Sequence, residues 1–339
     1  MVVGFAHSAV GRGLPPVLCP RCRGPFEVGA VDALCRGCGS AFPVERGVIV
    51  LSAQDDLYED QMTEPLLAPG FERYRGPLRA AAAFDFRVSG KQTRLRFLYE
   101  VVQSLHHASP LTVLDVGSGG GKQVLTRLGP VAGVDISLRA LTNARTMYDL
   151  CVRHDLRKGL PFSDMSFDVV NCSDVLGHFV PEDQDRILDE VSRVLRPGGH
   201  LLAFVETWSS RYDENLRLFP DWYPRFVKEM IRRTGHIGLV PASEVDGRFA
   251  SRGFRTIRRD RLVSRWGYAR GHASWAMHDY PSLSARDAML RRLSELATRN
   301  LFAEALLDDI LGVLDLPSRR RASDREAIGL LLWSRKEPY

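Results

Sequence analysis

The stretch LTVLDVGSGGGK, residues 111–122, sets four glycines within five residues directly behind an apolar run. A short unbroken apolar run reads as a buried strand, and glycines crowded after it let bare backbone come close to a ligand. From there on, helices and strands alternate. A short helix KQVLTRL (122–128) leads to strand VAGVDI (131–136), helix LRALTNARTMYDL (138–150) and a short strand around CVRHD (151–155). Strand FDVVNCS (167–173), helix PEDQDRILDEVSRVL (181–195), a turn at RPGG and strand HLLAFVE (200–206) complete the pattern. Strands alternating with helices at this spacing predict an α/β fold with a doubly wound, Rossmann-like parallel sheet.

The flanks organise around that block. Residues 89–106 place Leu95, Leu98, Val101, Val102 and Leu105 at helical spacing, with Ser89 as the cap, and LRAAAAF (78–84) reads as a shorter helix. After Glu206, residues 207–242 are rich in Trp, Tyr and Phe. Next come a helix, a turn at Gly253-Phe254, strand TIRRDRLV (256–263), a helical stretch over 267–322 and a last strand AIGLLLWS (327–334). The expected division is a module at 1–52, a linker and N-terminal helices at 53–110, and a main domain at 111–339 with insertions at about 207–242 and 267–322.

Four of the six cysteines fall within twenty residues, in CPRCRGPFEVGAVDALCRGCG. Two C-x2-C knuckles each aim two sulfurs at one centre, and Gly24, Gly37 and Gly39 relax the backbone there. Cys19, Cys22, Cys35 and Cys38 are therefore predicted to close a tetrahedral Zn2+ shell, structural because four sulfurs leave no open position for water. Residues 17–52 are too few to fold on apolar content alone, so the metal replaces a core. FPVERGVIVL (42–51) reads as a strand ending the module. Cys151 and Cys172 stand alone in apolar runs, as buried small hydrophobes. The module resembles the zinc-ribbon domain that activates certain tRNA and translation-factor methyltransferases as a separate subunit, a domain also found fused ahead of bacterial methyltransferases.

The glycine loop has three readings. A phosphate-binding P-loop, G-x4-G-K-[ST], fails at Val116 and at Gln123. A dinucleotide fingerprint, G-x-G-x-x-G, matches Gly117 and Gly119 but meets Lys122 at its third glycine. The pattern D-x-G-x-G-x-G matches throughout, at Asp115, Gly117, Gly119 and Gly121. Here the loop receives an amino-acid and ribose unit. Asp135 ends the second strand, where a carboxylate can accept ribose hydroxyls, and Asp155 ends the third, where it can accept an adenine amino group.

LDVGSGGG, VAGVDIS, DLRKGLPFSDMSFDVV, VLGHF and EVSRVLRPGGHLL, in that order over residues 111–203, resemble the class I S-adenosylmethionine-dependent methyltransferases in their small-molecule form. The resemblance implies a seven-stranded methyltransferase sheet binding S-adenosyl-L-methionine. Asp115 and Gly117 to Gly121 would border its methionine part, and Asp135 would hold the ribose. Ile136 would press on adenine, and Asp155 with Leu156 would meet the adenine edge. The stretch from Gly121 to Asp135 is shorter than the family's by most of a helical turn, and Lys122 has no role in the pattern. Asp174 and His178, after the fourth strand, and His236 in TGHIGLVP are the candidate catalytic residues, as proton acceptors or groups beside the acceptor. Trp208, Tyr212, Trp222 and Tyr223 are expected to line a substrate cover, and the aromatic segment 266–280 to meet the acceptor or a second copy of the chain in a homodimer.

Net charge is +5, and residues 251–339 hold 17 Lys/Arg against 11 Asp/Glu, so the basic excess is C-terminal. No apolar run reaches a membrane span and no signal peptide is read at the N-terminus, so a cytoplasmic protein without membrane contact is expected. Three functions compete. The first is methyl transfer to O or N of a small-molecule acceptor, for example in secondary metabolism. The second is an RNA (rRNA or tRNA) base methyltransferase that grips nucleic acid with its ribbon and C-terminal arginines. Against it, residues 1–50 hold only five Arg and three acids, and NCSDVL lacks an Asn-Pro-Pro-type motif. The third is a non-catalytic docking protein, disfavoured by the three carboxylates.

Overall fold

One sheet of eleven strands runs through the protein, in the order β1-β2-β3-β4-β7-β6-β5-β8-β9-β11-β10. The computed structural model describes residues 13–52, 58–59, 63–89, 92–105, 109–263, 266, 279–297 and 299–338. The strands are β1 (Phe26–Val28), β2 (Asp32–Cys35), β3 (Ala41–Glu45), β4 (Val48–Val50), β5 (Val113–Val116), β6 (Val131–Asp135), β7 (Leu150–Arg153), β8 (Phe167–Ser173), β9 (Leu195–Glu206), β10 (Phe254–Leu262) and β11 (Gly329–Lys336). Seven strands were expected; eleven are present because the cysteine-bearing module adds its four to the β7 edge. β4 lies parallel to β7, with Ile49 opposite Val152 and Val50 opposite Arg153. The sheet is also mixed, since β11 runs antiparallel to β9 and β10 antiparallel to β11.

The middle strands are apolar on both faces, as a sheet covered by helices on both sides requires. Every residue of β5 and β7 is buried. On one face α4 (Pro181–Val194) and α7 (Ala242–Ala250) supply Ile187, Val191 and Phe249 to the core. On the other, α2 (Thr93–Ser104) and α3 (Leu138–Ala144) supply Leu98, Val101 and Leu141. α1 (Gly76–Val88) precedes them; α5 (Ser210–Leu218) and α6 (Tyr223–Thr234) come after β9, and α8 (Ala285–Ala297) and α9 (Leu301–Arg321) lie between β10 and β11. No described helix is long and apolar enough to cross a membrane.

Several local expectations shift. Ser89 does not cap α2; its N–H donates to Asp85 O at 2.9 Å and closes α1, while α2 begins after Gln92. FPVERGVIVL is a hairpin that reverses at Arg46 and Gly47, both at positive φ (52° and 78°). KQVLTRL is one 3-10 turn over Gln123–Arg127. α3 stops at Ala144, which frees Tyr148 to enter the core. RPGG is absorbed into β9, which starts at Leu195. The aromatic segment 266–280 falls mostly outside the described residues.

Candidate active site

The carboxyl ends of β5 to β8 open onto one cavity of about 1190 Å3. Its walls include Gly117 to Lys122, Asp135, Ile136, Asp155, Leu156, Asp174 and His178. The sequence thus brings together most of the residues it singled out, although they come from four different strand ends.

Asp115 is one exception, and His236 is another. Asp115 lies wholly inside the sheet and is absent from the cavity wall. Both its oxygens receive Lys122 Nζ at 3.1 Å, Tyr148 OH donates at 2.7 Å and Asn171 Nδ2 at 2.7 Å. Burial pushes the Asp115 carboxyl above its ordinary range against the pull of Lys122, Tyr148 and Asn171. Such a charge is tolerable only because it is paired and fully hydrogen-bonded. Asp115 therefore braces the glycine loop from behind, and Lys122, which the sequence pattern left without a role, is its counter-ion. Lys122 Nζ also donates to Ser118 O at 3.3 Å and so fastens the loop to its own base.

The loop is held from above as well. A Cβ on Gly120 would come within 2.2 Å of Thr63 O, so only glycine allows this crossing of two backbones. Leu66 N–H donates to Gly121 O at 2.8 Å and Gln123 N–H donates to Leu66 O at 2.9 Å. Asn143 Nδ2 reaches Thr63 O at 2.9 Å. Just upstream, the Glu59 carboxylate accepts from Leu138 N–H at 3.2 Å and Arg139 N–H at 3.0 Å, capping α3.

Asp135 accepts from Gly119 N–H at 2.8 Å through one oxygen and from Ser137 N–H at 2.9 Å through the other. Burial raises its carboxyl, countered by those backbone donors. It remains on the cavity wall with lone pairs to spare. Asp155 also lines the cavity, ion-paired with Arg157 at 2.9 Å. Burial would raise it, yet the Arg157 contacts hold it below the usual carboxylate range. The cysteine-bearing module touches this end directly: Leu51 N–H donates to Arg153 O, and Asp155 N–H donates to Ser52 Oγ at 3.1 Å.

At the end of β8 a polar cluster forms that the sequence only half revealed. Asp174, at φ 63°, pairs with Arg94 of α2. Arg94 also sits 4.1 Å over the Phe204 ring. Behind Asp174 lies Glu206, the last residue of β9 and a residue that sequence reasoning passed over. Burial and the neighbouring Asp174 charge raise the Glu206 carboxyl well above its ordinary range. Burial would raise Asp174 too, but the hydrogen bond from Glu206 and the Arg94 charge keep it low. The two carboxyls are thus pushed in opposite directions, Glu206 up and Asp174 down. His236 Nε2 lies 3.5 Å from Glu206 Oε1, and its ring packs 4.5 Å from that of His178. His236 is off the cavity wall, so it backs the site. Burial and His178 lower it to about 4, and burial lowers His178. Tyr58 closes the cluster edge-on to His178 at 5.3 Å.

Trp208, Tyr212, Trp222 and Tyr223 do not line this cavity. They pack with Phe226 and Met230 into a small core belonging to α5 and α6. Aromatic density there is accounted for by the segment's own need for a core.

At the far edge of the sheet, the four Sγ atoms of Cys19, Cys22, Cys35 and Cys38 lie within 4.8 Å of one another. Cys19 and Cys38 are 3.8 Å apart and Cys22 and Cys35 3.4 Å, against about 3.8 Å for the edge of a tetrahedron of zinc thiolates. Arg21, Gly24 and Gly37 direct N–H groups at the sulfurs from 3.4 Å. Gly24 and Gly37 pack so closely that a Cβ on Gly37 would meet Cys22 Sγ at 3.1 Å. The donor set and its spacing fit a four-sulfur metal.

Residues 114–203 match the family described as a methyltransferase domain. The chain carries that domain. Relatives align with part of the chain. The probable methyltransferase ltbC of Aspergillus luteorubrus is 29% identical over 139 residues, covering 35% of this chain and 48% of its own. Phthiotriol/phenolphthiotriol dimycocerosates methyltransferase 1 of Mycobacterium ulcerans is 42% identical over 102 residues, 26% of this chain and 35% of its own. The chain thus spans about half or less of the length of these relatives. Among solved structures, the cyclopropane synthase MmaA2 of Mycobacterium tuberculosis gives a TM-score of 0.46 at 17% identity, over 83% of this chain and 93% of that one. The matched stretch includes Asp174 and stops three residues before Glu206.

Proposed function

We propose that the chain transfers the methyl group of S-adenosylmethionine to an oxygen or nitrogen of a small molecule. One observation carries this reading: Asp135, Ile136, Asp155 and Leu156 share one cavity with the glycine loop, at adjoining strand ends. When bound, the cofactor supplies a methyl group that is already electrophilic. The chain's own task is to hold the acceptor in line and exclude water. Burial and the Asp174 charge raise the Glu206 carboxyl, while Asp174 is paired with Arg94. Asp174 is on the cavity wall and is the residue placed to take a proton from an acceptor.

We also propose that the four thiols hold one structural Zn2+ that maintains the β1–β4 module. Calorimetry with S-adenosylmethionine tests the functional reading. The intact chain is expected to bind one equivalent, and Asp135→Ala to weaken binding by roughly a hundredfold, the loss of a charge-assisted pair of hydrogen bonds. An intact chain that shows no binding would sink the proposal.

A further inference from the structure

We infer that the β9–β11 end of the cavity binds the body of the acceptor, and that this body is an elongated, mostly hydrocarbon molecule carrying a hydroxyl near Asp174. The inference rests on the proposed methyl transfer and deepens it.

Position along the sheet comes first. Asp155 lies just past β7, Asp135 ends β6, the glycine loop leaves β5 and Asp174 leaves β8, in the order in which the strands lie. The nucleoside-facing groups therefore occupy the β7, β6 and β5 ends. The same cavity continues past β8 across β9 and β11 to β10, where Leu202, Leu331 and Leu262 line it. At about 4.8 Å per strand, β8 to β10 is about 14 Å.

Chemistry comes second. Leu95 and Leu98 of α2 face this extension together with Phe204. Leu98, Leu202, Phe204 and Leu331 are buried, so this end is screened from bulk water rather than spread over an open surface. Of the charged residues on the cavity wall, Arg94 and Asp174 lie at the mouth of this end and are paired with each other; Arg258, over the ring of Phe97, is paired with Glu100 and Asp260. A charged or sugar-like body would lose its water and meet mostly apolar side chains there among the described residues. A hydrocarbon body gains from burial, and a hydroxyl at its end meets the Asp174 carboxylate.

Size comes third. The cavity of about 1190 Å3 exceeds the roughly 300–1,000 Å3 of an ordinary single-ligand pocket. It has room for a second ligand beside a nucleoside.

The test uses the full chain saturated with S-adenosylhomocysteine and titrated with 1-hexanol and 1-dodecanol. Each buried methylene adds about fourfold in affinity, so dodecanol is expected to bind at least roughly tenfold tighter than hexanol. Leu98→Trp, which fills the extension, should weaken dodecanol binding roughly tenfold while S-adenosylhomocysteine affinity stays within about twofold. Leu262→Lys, at the partly exposed strand end, should do the same through charge and serves if Leu98→Trp fails to fold. Equal binding of the two alcohols, or dodecanol binding unchanged in both variants, overturns the inference and leaves methyl transfer standing. Loss of S-adenosylhomocysteine binding in both variants also overturns it, since these side chains would then belong to the cofactor end. If the unaltered chain does not bind S-adenosylhomocysteine, the functional proposal itself fails, and this inference with it.

Discussion

The two ends of the sheet are stabilised by different means. Residues of β5 to β8 are buried on both faces and held by interlocking aliphatic side chains. Residues of β3 alternate between exposed and half-buried, and the module's buried side chains, among them Val17, Ala33 and Ile49, join the main core and form none of their own. Beyond that shared core its two knuckles gather four sulfurs. Yet the two ends are one hydrogen-bonded sheet, joined where β4 meets β7. The cysteine-bearing module is thus coupled through a short ladder to the strand that presents Asp155.

The largest expected effect breaks that contrast outright. Structural zinc sites contribute on the order of 10 kcal/mol to folding, so a chelator should strip hydrogen-exchange protection from β1–β3 while β5 and β8 stay protected. If all strands lose protection together, the two regions are a single cooperative unit and the distinction is wrong.

The next change acts only on the central region. Lys122→Met leaves Asp115 buried beside Tyr148 and Asn171 without a counter-charge, a loss of about 3–5 kcal/mol by urea unfolding. The cysteine module should be unaffected, and metal content measured on the folded variant should stay at one equivalent.

Glu206→Gln sharpens the reading of the acid pair. The folded carboxyl of Glu206 is raised well above its ordinary range, so the unfolded chain loses that proton first as pH rises. The contribution is favourable below the unfolded value and declines as pH rises through the folded one, by up to about 1.4 kcal/mol per pH unit. Between pH 5 and pH 8, the urea midpoint should fall further in the unaltered chain than in Glu206→Gln. An identical pH dependence would mean that Glu206 ionises in the fold.

The smallest effect is at the junction. Ser52→Ala removes the acceptor for Asp155 N–H and the 3.2 Å contact with His154 Nδ1. It should cost about 1 kcal/mol and weaken cofactor binding only a few-fold. No change in either measurement would show that the ribbon supports β7 through the β4 ladder alone.

Much of this organisation was legible in the residues. FDVVNCS is a strand over the span its apolar pattern gives, and the twin C-x2-C knuckles converge as their spacing requires. The glycine loop, Asp135 and Asp155 share a cavity because strand ends in a parallel sheet do. Glu206 was not legible. It comes after the apolar run HLLAFV like any strand terminus, and its partner Asp174 stands over thirty residues away with no spacing to announce it. Asp115 matched its motif position, but its burial depends on Lys122, Tyr148 and Asn171, three residues that no local pattern links. The continuous sheet did leave a trace. GVIVL is apolar at successive positions, where an exposed ribbon strand would alternate, and Val48 and Ile49 are both fully covered. The aromatic density after β9 misled because the same residues serve equally to build a local core as to line a pocket.

The ladder between β4 and β7 has a consequence for handling the protein. Leu150, Cys151 and Val152 form the apolar part of β7, whose open side is covered by Val48–Val50 and Leu51. Deleting the first fifty residues to obtain a smaller enzyme would bare that rim, and exposed, flat, apolar strand rims recruit other chains. Truncated preparations should therefore precipitate or associate edge to edge, and supplying the missing segment as a separate polypeptide should restore solubility.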